Sequence, residues 1–223
     1  NIVLLKDNTY LIQISYIGIN ENTALLRASF EFIAHKTNNS FTFSSPFIKN
    51  TKNWKITKIG NNLFHYKNTI NKDKINEFCK LTSAFDRKLK STNKIIDYYC
   101  CDNLIELEKL IGVEYKADYN GRRESVWSSS YGIRKLIVFG NNNSNFDVFD
   151  PHDLFHDRLS LVISRRKVNK PIDEGCAYLY GGSWGFTWKE IFKAFKEQIA
   201  SNKNTNWLEI KETPVSFKTG NFS

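Results

Sequence analysis

The chain has no methionine, and its longest apolar runs fall far short of the roughly 20 residues a membrane-spanning helix needs. No transmembrane segment is expected within it. No secretory leader is visible either. The chain begins at Asn1, which reads as a processed or trimmed start, and an extracytoplasmic place, periplasmic or secreted, is the expectation. Cysteine is scarce, and the four present lack the paired spacing of a metal ribbon. Cys100 and Cys101 are adjacent in an apparent strand, so their side chains point to opposite faces and read as buried free thiols. There is no internal repeat, and low complexity is confined to asparagine-rich loops.

What is present is ordinary for a globular chain: 223 residues, 41% hydrophobic and 25% charged. The net charge of +9 permits contact with nucleic acid or a membrane surface. The lysines are dispersed, however. The sharpest cluster, Arg165-Arg166-Lys167 with Lys170, reads as a solvated linker, and no nucleic-acid motif accompanies it. Nucleic acid is therefore not an expected partner.

Residues 1–70 read as β-rich. Strands are predicted at Tyr10–Ile17, Leu25–Ala34, Phe41–Phe43 and Trp54–Gly60, the last forming a hairpin with Leu63–Tyr66. His35 and His65 fall here and read as surface or strand histidines. A helix follows over Asn71–Ser91, capped by Asn71 or Asp73, with Ile75, Phe78, Cys79, Phe85 and Leu89 as its core stripe. Lys94–Cys101 is a strand. Asp102 caps a helix over Asn103–Ile111 that Gly112 ends. Val113–Tyr119 is extended, Asn120-Gly121 marks a turn, and Arg134–Phe139 is a strand. Thr187-Trp188-Lys189-Glu190 is a capping box opening a helix to about Ala200. Trp207–Phe217 adds an extended tail.

The chain is organised around Asp150-Pro151-His152-Asp153-Leu154-Phe155-His156-Asp157, which holds two of the four histidines. Asp150 can N-cap a helix over Pro151–Ser164, and Pro151 suits its first position. His152 and His156 then lie one turn apart on one face, where both imidazoles can bite one metal ion, as in His-Glu-x-x-His. Asp153 stands where that pattern has glutamate. Further on, Pro171-Ile172-Asp173-Glu174-Gly175-Cys176-Ala177-Tyr178 reads as a second helix ending at Gly181-Gly182. Asp173 can orient a ligand imidazole or cap its own helix. Tyr178 reads as a core residue, and neither it nor Tyr131 is assigned a catalytic role.

Together these motifs resemble the gluzincin (peptidase MA-like) zinc metallopeptidases, whose third ligand is a glutamate on a second helix, often within Glu-Gly-x-Ala-x-Tyr. The resemblance covers about residues 94–198 in element order. It implies an α+β, gluzincin-like (zincin) catalytic domain over 71–223. The β-rich part, residues 1–70, is outside the resemblance; it is expected to pack on that domain, and with no Pro/Gly/Ser linker between them the two read as one cooperative unit, two independent domains being the alternative. The resemblance implies zinc held by His152, His156 and Glu174, with Asp153 in the position of the general base. A peptide or protein substrate is implied, paired to Arg134–Phe139 as the strand edging the cleft. Two readings follow: a metallopeptidase hydrolysing peptide bonds, or a catalytically degenerate relative with a binding or scaffolding role. A third, an all-helical HD-type phosphohydrolase, matches His152-Asp153 and His156-Asp157 superficially. It needs further histidines on other helices.

Overall fold

The structure, a computed structural model, describes residues 1–91, 94–117, 125–183 and 185–200. The turn expected at Asn120-Gly121 and the tail expected at Trp207–Phe217 lie outside them. Among the described residues the protein is a mixed α+β chain with two sheets and six α-helices. It divides into two compact units, Asn1–Ile75 with Asn93–Asp147, and Asn76–Thr92 with Val148–Ser223. That division differs from a line at residue 70, because strands from both sides of that line hydrogen-bond in one sheet.

The first unit opens with β1 (Ile2–Lys6), β2 (Thr9–Asn20), β3 (Thr23–Thr37) and β4 (Ser40–Ser44), an antiparallel meander in that order. Its turns are built from short polar residues that tolerate left-handed backbone: Asp7 and Asn8 have φ of 36° and 62°. Glu21 and Asn22, at 46° and 64°, make the next two-residue hairpin. The sequence reading found β2, β3 and β4 but not β1, nor the short helix α1 (Phe47–Thr51) that follows.

The second sheet begins with the expected hairpin of β5 (Lys55–Ile59) and β6 (Asn62–Tyr66), turned at Gly60 with φ 58°. Next comes α2 (Lys72–Leu89), where the Asn71 side chain caps the Lys74 N–H. Then come β7 (Ile95–Cys101) and α3 (Leu104–Ile111). Asn103, not Asp102, caps α3: its side chain accepts from the Glu106 N–H, and the Glu106 carboxylate reaches back to the Asp102 N–H. Gly112 ends α3 with φ 98°. A Cβ there would run into the Glu31 carbonyl oxygen and lie 2.8 Å from Pro46 Cδ. β8 (Val113–Lys116) adds to β3 of the first sheet. β9 (Ser125–Tyr131) and β10 (Arg134–Gly140) form a hairpin turned at Gly132, φ 57°.

The strand order β5-β6-β7-β10-β9 corrects one expectation. β10 is not an edge: it runs parallel to β7 on one side and antiparallel to β9 on the other. The edge beside it is β9, which the sequence reading missed. Its Ser-Val-Trp-Ser-Ser-Ser-Tyr string lacks the aliphatic run that marks a fully buried strand. On one face of this sheet Tyr99, Cys101 and Val138 pack under Phe47 of α1 and Leu104, Leu107 and Leu110 of α3. On the other, Tyr98 stacks on Phe64 and Phe139, and Phe146 meets both phenylalanines edge to face. Cys100 and Cys101 are wholly buried, and burial raises both thiol pKa values, that of Cys100 to about 12. Cys100 and Cys101 are free buried thiols, as expected, and Cys79 and Cys176 are free as well.

The second unit consists of the rest of α2 with α4 (Pro151–Leu159), a 3-10 turn (Arg165–Lys167), α5 (Lys170–Gly181) and α6 (Trp188–Ala200). α4 is shorter than the expected Pro151–Ser164. From Leu161 onward i→i−3 bonds appear, and the Ser160 hydroxyl takes the Asp157 carbonyl, so the helix tightens and stops. Leu154 and Phe155 are its buried face, with Phe155 edge-on to Phe85 of α2. Arg158, only 3% exposed, forks onto Asp86 of α2 through two 2.7 Å bonds. α6 starts at the expected capping box, with Thr187 and Glu190 bonded reciprocally.

A buried guanidinium stripped of its carboxylate partner costs about 3–5 kcal/mol. Asp86→Ala should therefore lower unfolding stability by about that amount in urea titrations. Arg158→Met combined with Asp86→Ala should recover much of the loss, because no charge is then left unpaired.

Candidate metal centre

The local sequence builds the first half of the site. Asp150 accepts the His152 N–H at 2.9 Å, and Pro151 occupies the first helical position, as expected. The i, i+4 spacing then brings His152 Nε2 within 3.2 Å of His156 Nε2. α5 supplies the second half. Asn169 caps it, which frees Asp173 from that task, and Glu174 one residue on reaches both imidazoles. Its Oε2 lies 3.3 Å from His152 Nε2 and 3.4 Å from His156 Nε2. His152, His156 and Glu174 are thus brought together as a group that could hold a metal ion, their ligand atoms within 4.8 Å of one another.

Each imidazole is oriented from behind. His156 Nδ1 lies 2.7 Å from Asp173 Oδ1, and both side chains are buried, 8% and 5% exposed. His152 Nδ1 lies 3.0 Å from the Gly182 carbonyl oxygen. A carbonyl or ionised carboxylate oxygen only accepts, so both Nδ1 atoms carry the proton. In neutral rings both Nε2 atoms then present lone pairs, and they present them to the Glu174 carboxylate. Three acceptors converge with no proton between them. That arrangement is repulsive until a cation or added protons occupy the space.

The Gly181-Gly182 pair, read from sequence only as a helix end, makes this geometry. A Cβ on Gly181 would lie 2.5 Å from the Pro151 carbonyl oxygen and 2.6 Å from the His152 nitrogen. The last turn of α5 therefore rests on the first turn of α4 by backbone alone. Gly182, with φ 70°, then aims its carbonyl at the His152 ring.

The other expected residues sort as follows. Asp153 is exposed and forms no hydrogen bond or ion pair among the described residues. Asp150 does the capping, so the Asp153 carboxylate is not committed to backbone N–H groups. Tyr178 is not a core residue: it is 37% exposed, its ring set edge-on to His152 at 4.7 Å. Tyr131 is a β9 residue whose side chain is outside the description. Arg166 and Lys167 are exposed, as a solvated linker requires. His35 is a surface strand residue bonded to Thr9 at 2.8 Å. His65 is a strand histidine, as expected, but not a surface one. It is buried on β6, with Nε2 3.0 Å from Asp97 Oδ1 and its ring stacked on Tyr99. With His35 and His65 both on strands of an α+β chain, the all-helical HD-type reading is dropped.

Comparison of the chain with known protein families, with curated proteins and with solved structures gives no match.

Gly181→Ala should push α5 off α4 and move the Gly182 carbonyl from His152. A helix-interior glycine normally gains up to about 1 kcal/mol on becoming alanine. Here the expected result is the opposite sign, a fall in the thermal midpoint. Gly175→Ala, at a position where a Cβ meets nothing within 4 Å, should be neutral or stabilising in the same assay.

Proposed function

We propose that this chain is a zinc-binding, gluzincin-type metallopeptidase that hydrolyses peptide bonds with low turnover. The observation that carries the reading is the triangle of His152 Nε2, His156 Nε2 and Glu174 Oε2, with sides of 3.2, 3.3 and 3.4 Å. Ligand atoms on a tetrahedral zinc ion, with bonds of about 2.0–2.1 Å, stand about 3.3 Å apart. Two neutral imidazoles and one carboxylate suit zinc and leave a fourth position open, the pattern of hydrolytic rather than structural sites. Glu174 is 38% exposed, so the cluster is reached from solvent.

When bound, zinc supplies Lewis acidity, acidifying a water and polarising a carbonyl. The chain's own residues supply the rest. Asp173 and the Gly182 carbonyl fix the two imidazoles in the ligating tautomer, the role outer partners play in metal sites. Asp153 stands one residue beyond His152, exposed and without a partner among the described residues, and would be the carboxylate to accept the water proton. It is one methylene shorter than glutamate, which retracts the carboxylate by about 1–1.5 Å. A misplacement of about 1 Å costs a catalytic group on the order of 100-fold in rate. The order β7, α3, β9–β10, α4 in the chain agrees with the resemblance, and a peptide or protein substrate follows from the same reading. The short acid at Asp153 also favours the alternative: a chain that keeps zinc but binds or scaffolds without cleaving.

Protein purified without added metal or chelator should contain one zinc per chain, and Glu174→Gln should lose it. Asp173→Ala should weaken zinc in chelator competition by about 10–100-fold while leaving stoichiometry unchanged at saturation. Asp153→Glu should raise hydrolysis of a generic peptide library with no change in zinc content. Wild-type turnover that Asp153→Glu impairs would make the shorter acid the working base. Zinc binding with no cleavage by either form would leave the scaffold reading in place.

A further inference from the structure

The first unit holds an open pocket, separate from the histidine pair. The sheet face that α1 and α3 cover at Tyr99, Cys101 and Val138 is left open toward the β9 edge. The pocket, of about 520 Å³, lies there, walled by Phe47, Ile111, Trp127 and Leu136. Sequence alternation places Arg134 and Leu136 of β10 on this face, with Ser129 of β9 opposite Leu136.

One wall of this apolar pocket carries a fixed cation. Asp97 of β7 is 5% exposed, too deep for an unpaired charge. Arg134 answers it with a fork: Nε donates to Oδ2 at 3.1 Å, and Nη2 donates to Oδ1 and Oδ2 at 2.9 and 2.7 Å. His65 donates to Asp97 Oδ1 at 3.0 Å. Three strands thereby hold one guanidinium in place. Its Nη1 atom has no partner among the described residues, although the Arg134 side chain is 52% exposed. Nor has the Ser129 hydroxyl. The pocket thus combines an apolar floor with an oriented guanidinium and a rotatable hydroxyl at one wall, the composition of a small-ligand site. Donors of this kind, on a cation already oriented by its own carboxylate, match a second carboxylate.

We propose that this pocket binds a small organic acid. Its aromatic or branched apolar body rests against Phe47, Trp127 and Leu136, and its carboxylate sits on Arg134 Nη1 and the Ser129 hydroxyl. Asp97 and His65 act as positioning residues, because they touch the guanidinium or its carboxylate and not the ligand. This proposal is independent of zinc and of peptide cleavage.

The test uses 4-phenylbutyrate and its uncharged amide, titrated into the whole chain and followed by the indole N–H resonance of Trp127. That resonance is assigned by its loss in Trp127→Phe. The acid should shift it with a Kd below about 1 mM, and the amide should bind at least tenfold more weakly. Ser129→Trp, which fills the pocket from an exposed strand, should abolish the acid's effect and leave the zinc content unaltered. Equal binding of acid and amide overturns the proposal. So does the absence of any shift up to about 10 mM acid, or acid binding retained in folded Ser129→Trp. The comparison of acid with amide is made on the unaltered protein, so it decides the matter even where Ser129→Trp fails to fold.

Discussion

Three lone pairs aimed at one point cannot be left alone. The Nε2 atoms of His152 and His156 and the Oε2 of Glu174 sit within 3.4 Å of one another with no proton assigned between them. Water would relax such a cluster if the side chains were free to turn. They are not free, because Asp173 and the Gly182 carbonyl take the outer nitrogen of each ring. The electrostatic tension at the centre and the hydrogen bonds behind it are two halves of one device. A cation held there would turn all three contacts favourable at once, as added protons would, which is why the cluster could hold a metal ion.

The second unit is arranged around holding that device still. α4 has only nine residues, and an isolated helix of that length is marginal in water. Its stability comes from packing: Leu154 and Phe155 are buried, and Arg158 forks onto Asp86. α5 is pressed close enough that Gly181 has no room for a side chain. The cost of each constraint is small and local. Their joint effect is that the two histidines and the glutamate come from rigid elements rather than loops, which is what a site of defined geometry requires.

In the first unit the governing constraint is a buried carboxylate. Asp97 lies in the middle strand of the second sheet; Arg134 on one neighbour matches its charge, and His65 on the other hydrogen-bonds its Oδ1. Burial raises the phenol pKa of neighbouring Tyr99, and the Asp97 charge adds to the rise while Arg134 opposes it. A polar row of this kind, crossing three strands, fixes register as well as charge, because sliding one strand by a residue would send its partner to the other face.

Local hydrogen bonding determined much of this protein in advance. The Asp150-Pro151 start of α4, the Thr187/Glu190 box of α6, and the glycines that end α3 and α5 all act within a few residues of themselves. They are therefore written in consecutive letters. The i, i+4 histidine pair is legible for the same reason, since helical periodicity converts spacing directly into a shared face. Which strand lies beside which is not local. Nothing in Arg134–Gly140 says that Ser125–Tyr131 will cover its outer side, and serine-rich β9 carries no hydrophobic signal of its own. His65, Asp97 and Arg134 are separated by 32 and 37 residues, so their meeting depends wholly on sheet order. The same holds for Tyr178, whose place beside His152 instead of in the core follows from the close seating of α5 on α4. Only the tertiary structure could decide these, because a side chain's partners across a sheet or between helices are set by the packing of whole elements and not by its neighbours in the chain.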